Sequence, residues 1–121
     1  MASEWERCSP WIEAALEHAL GSHNMADVYE LITDPDSGYH FWPGKRSASV
    51  TQIVEFPRLR RMHMWLCGGD MSEILDMLPS AEAFGAARGC TQFTTAGRPG
   101  WDRVMRPFGY VPAGRVCVKG I

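Results

Sequence analysis

The sequence predicts an α+β fold built on a mixed sheet. Three patterns carry that prediction. Residues 10–32 place apolar side chains at helical spacing in two stretches. Residues 39–67 hold three β-rich runs joined by short links, which makes neighbouring strands antiparallel. A helical stretch then separates the third run from a fourth at 91–96, so those two strands run parallel.

In the first stretch, Ser9-Pro10 reads as an N-cap followed by proline at the first helical position. Trp11, Ile12, Ala15, Leu16 and Ala19 keep helical spacing, and Gly21 marks the end. Asn24 caps a second helix, with Asp27 in the first turn, where a carboxylate suits the helix dipole. Its apolar stripe is Met25, Val28, Leu31 and Ile32. Asp34-Pro35-Asp36-Ser37-Gly38 is a turn.

The strand runs are residues 39–42, 48–56 and 61–67. Pro43-Gly44-Lys45-Arg46 turns the first into the second, and Pro57-Arg58 breaks the second from the third. In the middle run, Ala48, Val50, Val54 and Phe56 fall on one face, with Gln52 the polar exception. Gly68-Gly69 stops the third run. Asp70 and Glu73 then have capping-box spacing before a short helix with Ile74 and Leu75. Pro79 restarts the helix, which reaches a Gly89 C-cap. After the fourth strand, Trp101, Val104, Met105 and Phe108 make a last helical stripe that Gly109 ends. Val116-Cys117-Val118 reads as the closing strand. No repeat or linker divides the chain, so residues 1–121 are taken as one domain.

Composition excludes several functions. Apolar residues make up 45% and charged residues 21%, a globular balance. Residues 1–60 hold nine acidic and five basic side chains, and 61–121 hold five and seven, so neither half has the basic excess of a nucleic-acid binder. The first apolar stretch is broken by Glu13, Glu17 and His18, which excludes a signal peptide, and no segment is apolar enough to span a bilayer. Cys8, Cys67, Cys90 and Cys117 lie too far apart for a zinc knuckle or a CxxC pair, and read as buried reduced thiols of a cytosolic protein. His18, His23 and His40 have no metal-ligand spacing. Five Trp and seven Met serve either as core fillers or as a partner surface.

Three segments carry a resemblance: Trp42-Pro43-Gly44-Lys45-Arg46-Ser47, Trp65-Leu66-Cys67-Gly68-Gly69-Asp70 and Gly97-Arg98-Pro99-Gly100-Trp101. Together with the element order over 38–121, they resemble the GNAT N-acyltransferase superfamily without its first strand. Within it they are similar to small GNAT-like proteins of tailed bacteriophages and prophages. The resemblance implies acetyl-coenzyme A as cofactor, with its pyrophosphate on backbone amides of a Gln/Arg-x-x-Gly-x-Gly/Ala loop after the central strand.

Here that loop begins Gly68-Gly69-Asp70-Met71-Ser72-Glu73. The glycines admit a phosphate, whereas Asp70 and Glu73 repel it, and Asp70 takes the free amides for itself. The loop holds no Gln, Arg or Lys. The resemblance also implies a Tyr acid four residues before a Gly-Phe turn. Met105 stands there, Arg98 stands where an upstream Asn is expected, and Tyr110 takes the aromatic place of the turn. As bases for an amine, Glu55 and His63 are the available side chains on the central strands.

The expected function is therefore a non-catalytic GNAT-like protein of phage type, acting through protein contacts as a virion-associated, assembly or host-interaction component. No cofactor is expected on this reading. Its partners would be other phage or host proteins, in the host cytoplasm and the virion, with neither membrane nor nucleic acid. Contact residues would be Trp42, Lys45, Arg46, Arg98, Arg103 and Arg106, with Trp5 and Trp11. Arg58, Arg60 and Arg61 would join Lys45 and Arg46 in a second basic patch. The alternative is an acetyl-CoA-dependent N-acetyltransferase with a variant cofactor loop, using a backbone amide near residues 64–66 as oxyanion donor. A splay between the third and fourth strands would favour the alternative. A third reading is a small ligand-sensing module in the same cleft.

Overall fold

The computed structural model describes residues 2–97 and 100–121. Helices α1 (Ala2–Leu16) and α2 (Met25–Thr33) lead into strands β1 (Tyr39–Pro43), β2 (Ser47–Glu55) and β3 (Arg60–Gly69). Helix α3 (Met71–Ala87), strand β4 (Gln92–Thr95), helix α4 (Trp101–Met105) and the 3₁₀ turn Arg106–Phe108 follow. The sheet order is β1-β2-β3-β4, antiparallel in the first two pairings and parallel between β3 and β4. This is the α+β mixed sheet expected from the sequence.

Both leading helices form, but α1 starts earlier than the Ser9-Pro10 signal implied. Pro10 lies inside it. Its missing N–H forgoes the helical bond to the Glu6 carbonyl, and both residues are exposed. Ser9 does not cap; its hydroxyl donates back to the Trp5 carbonyl at 2.6 Å. α1 also ends at Leu16, before Gly21. Asn24 caps α2 through a reciprocal box with Asp27, and Val28 and Ile32 are buried.

The β2–β3 ladder carries an irregularity that sequence alternation does not reveal. Val50 pairs with Leu66, but the next residue, Thr51, pairs with Met64, leaving Trp65 as an extra residue on β3. Alternation therefore shifts on β3, while β2 keeps its period of two. Ala48, Val50 and Leu66 face α1 and α2 together with Cys8, Ile12, Val28 and Ile32. Met62 packs with Ala81, Cys90, Ile53 and Phe93 on the α3 side. On β2, Ala48 and Val50 of the expected apolar face are buried against the helices, whereas Phe56 lies beyond the strand in solvent. Ser47, Ser49 and Thr51 are buried instead. Thr51 accepts the Trp42 indole N–H at 2.9 Å, and Ser49 donates to the Cys67 sulfur at 3.3 Å.

Helix α3 is continuous through Pro79, which stands on its exposed side, so no restart occurs. Gly85 lets it approach the sheet: a Cβ there would sit 2.7 Å from the Met62 sulfur and 2.9 Å from the Phe93 ring. Gly89, at φ +84°, ends the helix; its N–H donates to Ala86 and that of Cys90 to Gly85. Pro107 converts the expected end of α4 into a 3₁₀ turn, leaving Phe108 exposed. The closing strand does not form. Residues 111–121 are irregular and exposed, and Cys117 with them, contrary to the buried thiol expected there.

Candidate functional site

Two features meet at the end of β3: the turn into α3, and the divergence of β3 from β4. The turn comes first. Asp70 Oδ1 accepts the backbone N–H groups of Ser72 and Glu73 and the Ser72 hydroxyl, at 2.9, 3.3 and 2.7 Å. The Ile74 N–H goes to the Asp70 carbonyl. Glu73 does not complete a capping box. Its carboxylate crosses to the β1–β2 turn, accepting from the Arg46 backbone N–H at 3.0 Å and from the buried Ser47 hydroxyl at 2.5 Å. The Arg46 guanidinium bridges both acids, 3.0 Å from Asp70 and 3.7 Å from Glu73. Hydrogen bonds from Ser72 and then Arg46 hold the Asp70 carboxyl down at about 2. The Ser47 hydroxyl and the Arg46 amide lower that of Glu73.

Gly68 and Gly69 have packing reasons for being glycine. A Cβ on Gly68 would lie 2.2 Å from the Trp11 carbonyl oxygen of α1. One on Gly69, at φ +100°, would lie 2.4 Å from the Arg46 carbonyl oxygen. The turn is therefore filled on both sides by this chain's own backbone. A pyrophosphate needs unpaired amides and a cation-lined approach. The first amides of α3 are instead bonded to Asp70, and two carboxylates flank them. The residues present do not fit the pyrophosphate of coenzyme A.

The second feature is the split of the sheet. β4 pairs with β3 only from Arg61 to Met64, and β3 then continues to Gly69 with no partner strand on that side among the described residues. The extra residue Trp65 stands where the pairing stops. Side chains of the C-terminal segment fill the space beyond. Met105, 1% exposed, clusters with Met64 and Leu78, and Trp101 and Tyr110 pack against that cluster. The Trp101 indole N–H donates to Thr95 at the end of β4, at 2.8 Å. The Tyr110 hydroxyl donates to Glu82 of α3 at 2.7 Å, and burial, reinforced by that carboxylate, raises its pKa. What is left is a cavity of about 10 Å³ beside Met62, Met64, Phe93 and Tyr110. Pockets for small molecules run to roughly 300–1,000 Å³.

The remaining candidates are spread over the molecule. His63 lies on β3, with Nδ1 2.8 Å from the Thr94 hydroxyl of β4. Burial, and secondarily the Arg61 charge, lowers its pKa below 6.5. Glu55 is exposed at the far end of β2 and paired with Arg60 at 3.1 Å; its ladder position is three residues from that of Gln52, which faces His63. The two candidate bases are not brought together. Burial pushes the Cys67 thiol up to about 11, which makes it a poor nucleophile. Among the described residues, no three His, Cys, Asp or Glu side chains gather as metal ligands.

Several expected contact residues are half-buried. Trp42 packs against Phe84 and bonds Thr51, while Trp5 and Trp11 pack on the first core. Arg46 is engaged with Asp70 and Glu73. Lys45 and Arg103 are exposed, Arg106 pairs with Asp102 at 3.7 Å, and Arg98 lies outside the described residues. The expected joint basic patch does not exist. Arg60 sits at the Glu55 end of the β2–β3 ladder, whereas Arg46 adjoins the Gly69 end. Sequence reasoning missed Ser47, Thr94 and Glu82, whose roles depend on partners 26 to 31 residues away.

Comparison of the fold with solved structures decides its class. A GNAT family acetyltransferase from Staphylococcus aureus superposes with a TM-score of 0.63 at 13% identity, covering 98% of this chain and 93% of its own. The chain has the GNAT fold. A Trypanosoma brucei acetyltransferase gives 0.59 at 12% identity, with 89% of each chain covered. No protein-family model matches the sequence. No curated protein matches it either. At these identities the likeness is one of fold, and GNAT chemistry has to be judged from the site itself. Within the GNAT fold, the turn into α3 is the loop on which the sequence resemblance placed the cofactor pyrophosphate. In this chain that loop is closed by Asp70, Glu73 and Arg46. Among the described residues no helix is long and apolar enough to cross a membrane.

Proposed function

We propose that this chain is a non-catalytic GNAT-fold protein acting through protein contacts, as a phage-type component of a virion, its assembly or a host interaction. One observation carries the non-catalytic part: Asp70 occupies the amides at the start of α3 that a cofactor phosphate would need. Met105 adds to it, because a buried thioether stands where a proton donor to a departing thiolate would be expected. The phage-type part rests on the likeness of the three short segments around Trp42, Trp65 and Trp101.

The test is coenzyme A release from acetyl-CoA, followed by chromatography across a panel of amines. The expected result is release equal to the protein-free blank. Release above the blank that Asp70→Ala or His63→Ala alters would overturn the proposal.

A second reading is favoured by one specific observation. β3 runs on unpaired past Met64, with the extra residue Trp65 at the fork. That open edge suits an N-acetyltransferase with a variant loop, provided that Met105 and Tyr110 vacate the fork.

A further inference from the structure

Charge is divided unevenly along this chain. From residue 8 to residue 44 there are six acidic side chains and no Lys or Arg. Two of the six, Asp34 and Asp36, stand exposed in the turn between α2 and β1. The last turn of α2 holds no basic residue, so the negative end of the helix dipole adds to these two carboxylates. The Ile53 N–H donates to the Gly38 carbonyl at 2.9 Å, which sets this turn beside the end of β2.

Arginines occupy the other side of the same sheet end. Arg58 is exposed in the β2–β3 turn. Arg60 and Arg61 open β3, and Arg88 caps the end of α3. The Arg60 guanidinium donates to the Arg88 carbonyl at 2.8 Å, which ties the helix end to the strand start. Among the described residues, only Arg60 of these four has a carboxylate partner, Glu55. Arg61 is held by neutral groups, the Gln92 amide oxygen at 2.6 Å and the Phe56 ring at 4.5 Å. Arg88 lies 3.3 Å from the centre of the Phe84 ring and donates to the Phe84 carbonyl. Arg61 and Arg88 are thus fixed in place while their charges stay uncompensated, which lowers the ordering cost of meeting an anion.

The end of β2 lies between the two charge groups, since the sheet order is β1-β2-β3-β4. Phe56 stands there, 38% exposed. An apolar centre with opposite charges on its two sides is self-complementary, because a half-turn about Phe56 lays each group on its opposite. We propose that two copies of this chain pair through this end of the sheet, about a two-fold axis at Phe56. The Asp34–Asp36 turn of each copy then meets Arg58, Arg61 and Arg88 of the other. This inference reaches beyond the proposed function and does not depend on whether acetyl-CoA binds.

Sedimentation equilibrium of the full chain tests it. A reversible monomer–dimer equilibrium is expected at low salt. It should weaken about tenfold between about 0.05 and about 0.5 M sodium chloride, because exposed ion pairs are screened. Arg58→Glu and Asp36→Lys are each expected to weaken the low-salt dimer about tenfold, and the double variant, which exchanges the two charges, to restore it. Lys45→Glu makes the same charge change in the β1–β2 turn, at the opposite end of the sheet, and is expected to have no effect. An unchanged circular-dichroism spectrum shows that each variant keeps the fold. A monomer up to millimolar concentration would overturn the proposal, as would a dimer indifferent to salt. So would a dimer weakened as much by Lys45→Glu as by Arg58→Glu, or a double variant no tighter than either single one.

Discussion

The Glu73 carboxylate accepts the hydroxyl proton of Ser47 at 2.5 Å, joining the first turn of α3 to the start of β2 across 26 residues of sequence. Arg46, beside Ser47, completes the junction by reaching Asp70 at 3.0 Å. The consequence is local and chemical. A helix N-terminus, ordinarily an anion site, is saturated by the chain's own anions.

Acid should therefore loosen this junction first. The folded pKa of Asp70, about 2, lies below its ordinary 3.8, and that of Glu73 lies below 4.5. Groups shifted downward give stability that is complete above the unfolded value and is lost as pH falls through the folded one. Urea midpoints measured from pH 6 to 2 should fall below about pH 4.5, and Asp70→Asn should flatten that fall. Asn still caps a helix, so the substitution removes the charge and the Arg46 pair rather than the cap. An acid limb unchanged in both Asp70→Asn and Glu73→Gln would refute the assignment.

Gly68→Ala should destabilise the fold by about 1–3 kcal/mol, because the added methyl meets a backbone carbonyl rather than a movable side chain. Gly120→Ala, which meets nothing within 4 Å, serves as the control. Urea denaturation with an unchanged m-value checks both. If Gly68 is present for a phosphate instead, its substitution should leave stability near that of the control.

Much of the frame was legible in sequence. The Asn24 cap, the Gly89 helix end and the strand–helix–strand crossover are local signals, and each was found; the reciprocal bond from Asp27 to the Asn24 amide was not. Two prolines misled, because Pro10 and Pro79 look like helix starts until each is seen on the exposed side of a continuous helix. The Trp65 irregularity was hidden, since an extra residue exists only relative to its partner strand. At the site, the competition of Asp70 for the helix amides was readable from its position. The crossing of Glu73 to Ser47 was not, because its spacing to Asp70 fits a capping box equally well. His63 was found as a candidate. Its neighbour Thr94 needs the β3–β4 register, and the burial of Met105 needs the return of α4 over the fork.

Met105→Ala should cost about 2–5 kcal/mol, in line with truncation of a buried side chain that leaves a cavity. Met105→Leu should cost under about 1.5 kcal/mol. Thermal and urea unfolding report the difference. A Met105→Ala loss no larger than that of Met105→Leu would mean that the fork is not packed by this side chain.

His63 should titrate below 6.5 in a two-dimensional NMR experiment, since burial disfavours its charged form. Removing the secondary contribution with Arg61→Gln should raise the midpoint only in part. Because the folded value lies below the unfolded one, this group's contribution to stability is complete above 6.5 and is lost as pH falls through the folded value. A midpoint at or above 6.5 would place His63 in solvent or beside an acid.

The most direct measurement is calorimetric titration of acetyl-CoA into the purified protein. With Asp70, Glu73 and Arg46 closing the loop, no binding heat is expected up to millimolar ligand. Saturable micromolar binding, weakened by competing free coenzyme A, would contradict the account and return this GNAT fold to acyl transfer.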